Sequence, residues 1–131
     1  MTRTRILVVE DEPLIREMMA ETLDDAGYDV LQAESGERAS RLMQEPDSID
    51  LLLTDVQMPG SLDGVAVAEQ AHAHDPDLPV LFVTGGSDVL AQRRLTGQEH
   101  VLCKPFVPTR LVETVRQLTE TVDDGADAKN T

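Results

Sequence analysis

"ILVVEDEPL", residues 6–14, sets four apolar residues directly against three acids, and Pro13 closes the run. Ile6, Leu7, Val8 and Val9 make an uninterrupted apolar stretch of strand length, the pattern of a strand covered on both faces. Three adjacent carboxylates at the end of such a strand repel one another. The arrangement is costly unless a positive charge lies among them. The reading of the rest of the chain turns on which other strands end in groups able to meet these acids.

Downstream of Pro13, the apolar residues Leu14, Ile15, Met18, Met19 and Leu23 recur at helical spacing, and Gly27 ends the helix. A weaker strand follows at residues 28–31. Ser35 and Gly36 open a helix with Ala39, Leu42 and Met43 on one face, and residues 46–50 form a turn. Leu51, Leu52, Leu53 and Thr54 read as a buried strand ending at Asp55. After a loop through Pro59, Gly60 and Ser61, Asp63 caps a helix carrying Val65, Ala68 and Ala71 or His72. A fourth strand spans residues 79–83 and ends in Thr84, Gly85 and Gly86. Ser87 opens a poorly patterned helix with Val89, Leu90 and Leu95. A short fifth strand, residues 101–103, ends at Lys104 and Pro105. Pro108 begins the last helix, a position where proline is favoured, and Leu111, Val112, Val115, Leu118 and Val122 form its apolar face. Five strand–helix units in alternation imply an α/β fold with a parallel sheet and helices on both faces. The expected domain covers residues 1–122, and the polar, acidic stretch 123–131 reads as a frayed tail.

Composition narrows the function. A chain of 131 residues suits one domain with a core that needs no staples. Tyr28, Phe82 and Phe106 are its only aromatics, which disfavours a site that stacks bases or a flavin ring. The formal net charge is −14, from 25 acids against 11 basic residues. Such a surface repels nucleic acid and anionic membranes, whose binding relies on basic contacts to phosphates. A single cysteine, Cys103, allows no internal disulfide and fits a reducing compartment. The apolar run after Arg5 is too short for a signal peptide, and no stretch approaches the roughly 20 apolar residues of a membrane helix. The expected location is cytoplasmic.

In open parallel sheets, ligands bind outside the carboxyl ends of the strands. Those ends carry Glu10, Asp11 and Glu12 on the first strand, Asp55 on the third, Thr84 on the fourth and Lys104 on the fifth. Clustered carboxylates suit a hard divalent cation, and Mg²⁺ needs one or two of them plus waters and a phosphate oxygen. Lys104 adds a point charge for phosphate and Thr84 a hydroxyl donor. Together these groups form the equipment of phosphoryl transfer.

These residues, together with Met58 and Pro59, Asp63 and Gly64, Gly85, and the run Lys104, Pro105, Phe106, resemble the receiver domain of two-component response regulators from about residue 5 to 122. The resemblance implies a doubly wound, flavodoxin-like sheet of strand order 2-1-3-4-5. It implies that Asp55 is the phosphoacceptor for a histidine kinase or histidine phosphotransferase. Glu10, Asp11 and Asp55, with the carbonyl of Gln57, would hold Mg²⁺. Thr84 and Lys104 would bind the phosphoryl group, with the Lys104–Pro105 bond cis. Such a domain assists its own phosphorylation and dephosphorylation without being a conventional turnover enzyme. Because no output domain follows residue 122, a stand-alone receiver is expected, one that switches a downstream protein partner or passes phosphate along a relay, without contacting nucleic acid or membrane.

The resemblance has departures. Many receivers carry an aromatic residue where this chain has Val101, a stiff side chain with no ring to swing. A degenerate receiver that binds partners regardless of phosphate is therefore the alternative. Gly60, Ser61 and Leu62 give one residue more than the commonest loop between Pro59 and Asp63. A metal-dependent phosphatase would need an acid at Gln57, and a flavin carrier would need aromatics. His72 and His74, two apart on a helix, face different sides and read as solvated. Cys103, within a strand, reads as core packing.

Overall fold

A computed structural model describes residues 3–44, 49–58, 60, 62–85 and 98–127. Five strands form one parallel sheet: β1 (Arg5–Val9), β2 (Asp29–Ala33), β3 (Leu51–Asp55), β4 (Val80–Thr84) and β5 (Glu99–Cys103), in the order β2-β1-β3-β4-β5. The helices among the described residues are α1 (Pro13–Asp25), α2 (Gly36–Met43), α3 (Gly64–His74) and α4 (Pro108–Asp127). The expected helix after Ser87 and the turn residues 46–48 lie outside the described residues. None of the described helices is long and apolar enough to cross a membrane.

The sheet separates two apolar layers because successive strand side chains point to opposite faces. Leu7, Val9, Leu52, Val80 and Phe82 pack on one side with Val67, Ala68 and Ala71 of α3 and Ala39 of α2. Ile6, Val8, Leu53, Leu81 and Val83 pack on the other with Met19 and Leu23 of α1 and Leu111 and Val115 of α4. All five residues of β3 and of β4 are buried, whereas the edge strands β2 and β5 are only partly covered. The uniform apolar reading therefore fits the interior strands. On the edge strand β5 burial is interrupted, Val101 is 37% exposed, and Cys103 points outward rather than into the core.

Caps set the helix starts as their chemistry dictates. The Glu12 side chain accepts from the Leu14 amide, with Pro13 at the first helical position, Ser35 accepts from Arg38, and Asp63 accepts from Ala66. Gly27, at φ +103°, ends α1 in a conformation that other residues avoid. The last helix runs to Asp127, into the stretch 123–131 that the composition reads as a frayed tail. Propagating an existing helix needs no new nucleus.

His72 differs from its solvated reading. Its Nε2 lies 2.9 Å from the Leu78 carbonyl, and Nδ1 lies 3.9 Å from a carboxylate oxygen of Glu99, whose side chain is fully buried. The turn from α3 into β4 folds back on the helix end, so its carbonyl reaches the ring. His74, two residues on, is exposed.

Candidate functional site

The register of the sheet brings the carboxyl ends of β1, β3, β4 and β5 to one edge. Val9 pairs with Thr54, Asp55 with Val83, and Thr84 with Cys103. The residue leaving each strand then faces a common space. Glu10 is buried there at 1% exposure, Asp55 at 9% and Thr84 at 5%. The Lys104 ammonium reaches in from the end of β5, 3.1 Å from Glu10 Oε1 and 3.3 Å from Asp55 Oδ2. Asp11, exposed at the rim, completes a set in which one carboxylate oxygen each from Glu10, Asp11 and Asp55 lies within 4.8 Å of the others.

The main chain holds these groups in place. Glu10 donates its backbone N–H to the Ala33 carbonyl at 3.1 Å, and its carboxylate accepts from the Glu12 amide at 3.1 Å. Val56 donates to Val83, and the Lys104 amide donates to the Thr84 carbonyl at 2.8 Å, fastening the end of β5 to the end of β4. The Lys104–Pro105 bond is cis. Gln57 leads out of Asp55 on the exposed start of the β3–α3 loop.

Arg16 escaped the sequence reading. Its Nη1 donates to the Glu10 carbonyl at 2.9 Å, so a guanidinium from the first turn of α1 grips the backbone of the acid run. The available signal was its isolation, since it is the only basic residue in α1. Val101 lies away from the carboxylates, paired in register with Phe82.

Electrostatics follow from burial. Desolvation raises the Glu10 carboxyl above its ordinary value and the Asp55 charge adds to the rise, against the hydrogen bond from Glu12 and the Lys104 ammonium. Burial pulls the Lys104 ammonium down. The hydrogen bond to Glu10 and the charges of Asp55 and Glu10 outweigh this, so its pKa ends above the usual lysine value. The folded state thus binds the Glu10 proton more tightly than the unfolded chain does. Without a divalent cation, stability from this group is greatest below the ordinary carboxylate pKa and falls as pH rises toward the folded value. Glu10→Gln is expected to flatten that slope and to weaken Mg²⁺ binding. Urea unfolding across pH with and without Mg²⁺ checks this, and an unchanged slope would refute the cause given for the shift.

Three hard oxygen donors within one cation's reach, two of them buried and one open to solvent, fit a small divalent ion that keeps several waters. A soft metal is disfavoured by the absence of sulfur and imidazole among these donors.

Residues 6–116 match the family profile described as the response regulator receiver domain. The chain belongs to that family. This receiver is 38% identical over 117 residues to the response regulator receiver protein CpdR of Brucella abortus, covering 87% of this chain and 95% of that protein. It is 36% identical to the transcriptional regulatory protein YrkP of Bacillus subtilis, covering 88% of this chain and 51% of YrkP. This receiver thus spans about half of YrkP, and 26% of the C4-dicarboxylate transport regulator DctD of Pseudomonas aeruginosa. Among solved structures, it resembles a receiver protein of Sinorhizobium medicae with a TM-score of 0.83 at 29% identity, covering 90% of this chain and 95% of that one. It also resembles the chemotaxis protein CheY4 of Vibrio cholerae with a TM-score of 0.80 at 28% identity, covering 89% and 99%. Receiver domains work in two-component systems, where phosphorylation switches their interactions with histidine kinases and downstream effectors. As a family they bind Mg²⁺ in an acidic pocket.

Proposed function

We propose that Asp55 is the phosphoacceptor of this receiver and that Mg²⁺ is held by Glu10, Asp11, Asp55 and the Gln57 carbonyl. The observation that carries this reading is the Asp55 carboxylate at the end of the central strand, 3.3 Å from the Lys104 ammonium and within reach of both β1 acids. In the reaction, a carboxylate oxygen of Asp55 attacks phosphorus, the P–N bond of a phosphohistidine breaks, and the imidazole leaves with its electron pair. Bound Mg²⁺ supplies charge neutralisation for the phosphoryl oxygens. Lys104 moves its ammonium from a carboxylate partner to a phosphoryl oxygen, and the Thr84 hydroxyl donates to another. The product adds roughly −1.5 to −2 charges to the pocket, by analogy with other phosphoresidues. That charge biases the ends of β4 and β5, which carry the change to a protein partner, or the phosphoryl group passes on in a relay.

Incubation with Mg²⁺ and a small acyl phosphate, followed by intact-mass measurement, tests this reading. One phosphoryl group is expected on the wild type, and none on Asp55→Asn or with chelator present. No gain on the wild type would favour the second reading, a degenerate receiver that binds partners regardless of phosphate. Val101 motivates that alternative, because an edge-strand valine offers no ring to follow Thr84 inward.

A further inference from the structure

The β3–α3 loop leaves the phosphoacceptor strand and returns at α3, and it is seated against a helix on the far side of β1. Gly36, the first residue of α2, is buried. A Cβ placed on it would lie 2.6 Å from Leu62 Cβ and 2.9 Å from the Leu62 carbonyl carbon, and closer still to that carbonyl's oxygen. Real Cβ atoms do not tolerate such distances, and the obstacle is largely backbone. The next residue, Glu37, meets the loop more loosely and through its side chain. A Cβ on Gly60, at φ +101°, would come within 3.3 Å of Glu37 Oε1. Leu62 is also packed against the apolar layer under α2 and α3. At its far end the loop is closed by the Gly64 amide donating to the Val56 carbonyl at 2.9 Å.

Two successive residues at the start of α2 thus receive two residues of the β3–α3 loop. The same loop begins with Gln57, whose carbonyl is the one main-chain ligand assigned above. A backbone ligand has no rotamer to adjust, so its position is only as well defined as the loop that carries it.

We infer that Gly36 is a positioning residue for the cation site. Its missing side chain lets Leu62 seat on α2, and this seat fixes the returning end of the loop whose first residue, Gln57, carries the proposed carbonyl ligand. The inference rests on the proposed Mg²⁺ site and adds to it a residue on α2, the helix before the phosphoacceptor strand.

Gly36→Ala is the direct test, with Gly27→Ala as its control. Gly27 has open space around its missing Cβ but a positive φ, so alanine there strains the end of α1 without touching the loop. Mg²⁺ affinity is read by titration calorimetry, and backbone order by hydrogen exchange of the Val56, Gln57, Met58 and Leu62 amides without metal. Gly36→Ala is expected to weaken Mg²⁺ binding by about tenfold or more, the range seen when groups supporting a ligand are lost. It should also speed exchange of those amides. Gly27→Ala should lose stability while both readings stay at wild-type values. If Gly36→Ala fails to fold, Gly60→Ala on the exposed loop replaces it, with a loss of about threefold in affinity expected on the same scale. Wild-type affinity in whichever of the two variants folds would overturn the inference, as would equal losses in Gly27→Ala. Absence of Mg²⁺ binding by the wild type would instead overturn the site itself, and the exchange measurement would still show whether Gly36 orders the loop.

Discussion

Lys104→Ala is expected to cost the metal-free protein about 2 kcal/mol, a value below that of a fully buried pair because the lysine side chain is 23% exposed. The ammonium is the one cation within ion-pair distance of Glu10 and Asp55 among the described residues. Its removal leaves two buried carboxylates facing each other with Asp11 beside them. The loss should therefore be conditional. Saturating Mg²⁺ should stabilise Lys104→Ala more than it stabilises the wild type, because the ion offsets the same repulsion that the lysine did and binding to the folded state is linked to stability. Lowering the pH should also narrow the gap. Glu10 is already raised by desolvation, and without the lysine's opposing influence its folded pKa rises further. The variant then gains stability relative to the wild type as protons bind. Lys104→Met, which keeps an apolar stem, separates lost packing from lost charge. Equal destabilisation with and without Mg²⁺ would show that the lysine acts only through packing. Phosphoryl incorporation from a small donor should fall in both variants.

Gly64→Ala is expected to be still more damaging, with a loss of about 3 kcal/mol or more in denaturant unfolding. Gly64 opens α3 directly after its capping residue Asp63. A Cβ there would sit 2.8 Å from the Asp55 carbonyl carbon and 2.9 Å from Val56 Cα, and nearer still to the Asp55 carbonyl oxygen. All three obstacles are backbone, and that oxygen also accepts a hydrogen bond from the Thr54 hydroxyl at 2.9 Å. Relief therefore requires either α3 or the end of β3 to move, and the second choice displaces the proposed phosphoacceptor. Any folded fraction should take up phosphoryl groups slowly even when stabilised by osmolyte. A loss below about 1 kcal/mol would mean that the helix and strand separate easily, contrary to the close approach described.

The order of elements and the pocket's charged groups were legible because they depend on short-range signals. Apolar runs of strand length, caps such as Ser35 and Asp63, and Gly27 after α1 each act within a few residues of themselves. Glu10, Asp55, Thr84 and Lys104 were legible for a related reason, since in a parallel sheet the residue leaving each strand is placed by topology alone. What was hidden depends on partners distant in sequence. Arg16 looks like an ordinary surface residue until the Glu10 carbonyl is found beside it. His72 looks solvated until the turn before β4 folds back on it and Glu99 arrives from the start of β5. Cys103 looks like core because its neighbour Leu102 is, but on an edge strand the next residue faces out. Gly36 is unremarkable in sequence, since the backbone of Leu62 that excludes a side chain there belongs to another loop.

The hydrogen bond that the Lys104 amide donates to the carbonyl of Thr84 has a mechanical consequence. Thr84 and Lys104 are joined through their backbones at 2.8 Å, so the hydroxyl and the ammonium proposed to grasp the phosphoryl group hang from one joint. Displacement of either would drag the other, so that the proposed switch would have one coordinate where two unlinked groups would have two. β5 has a strand on one side only, whereas β4 is fixed between two neighbours. The joint's freedom therefore lies on the outer side, and under the proposed phosphorylation an incoming charge would pull the rim of the sheet toward the centre. In such a linkage the moving part would be the edge itself, and a valine on that edge would travel with it without needing to rotate.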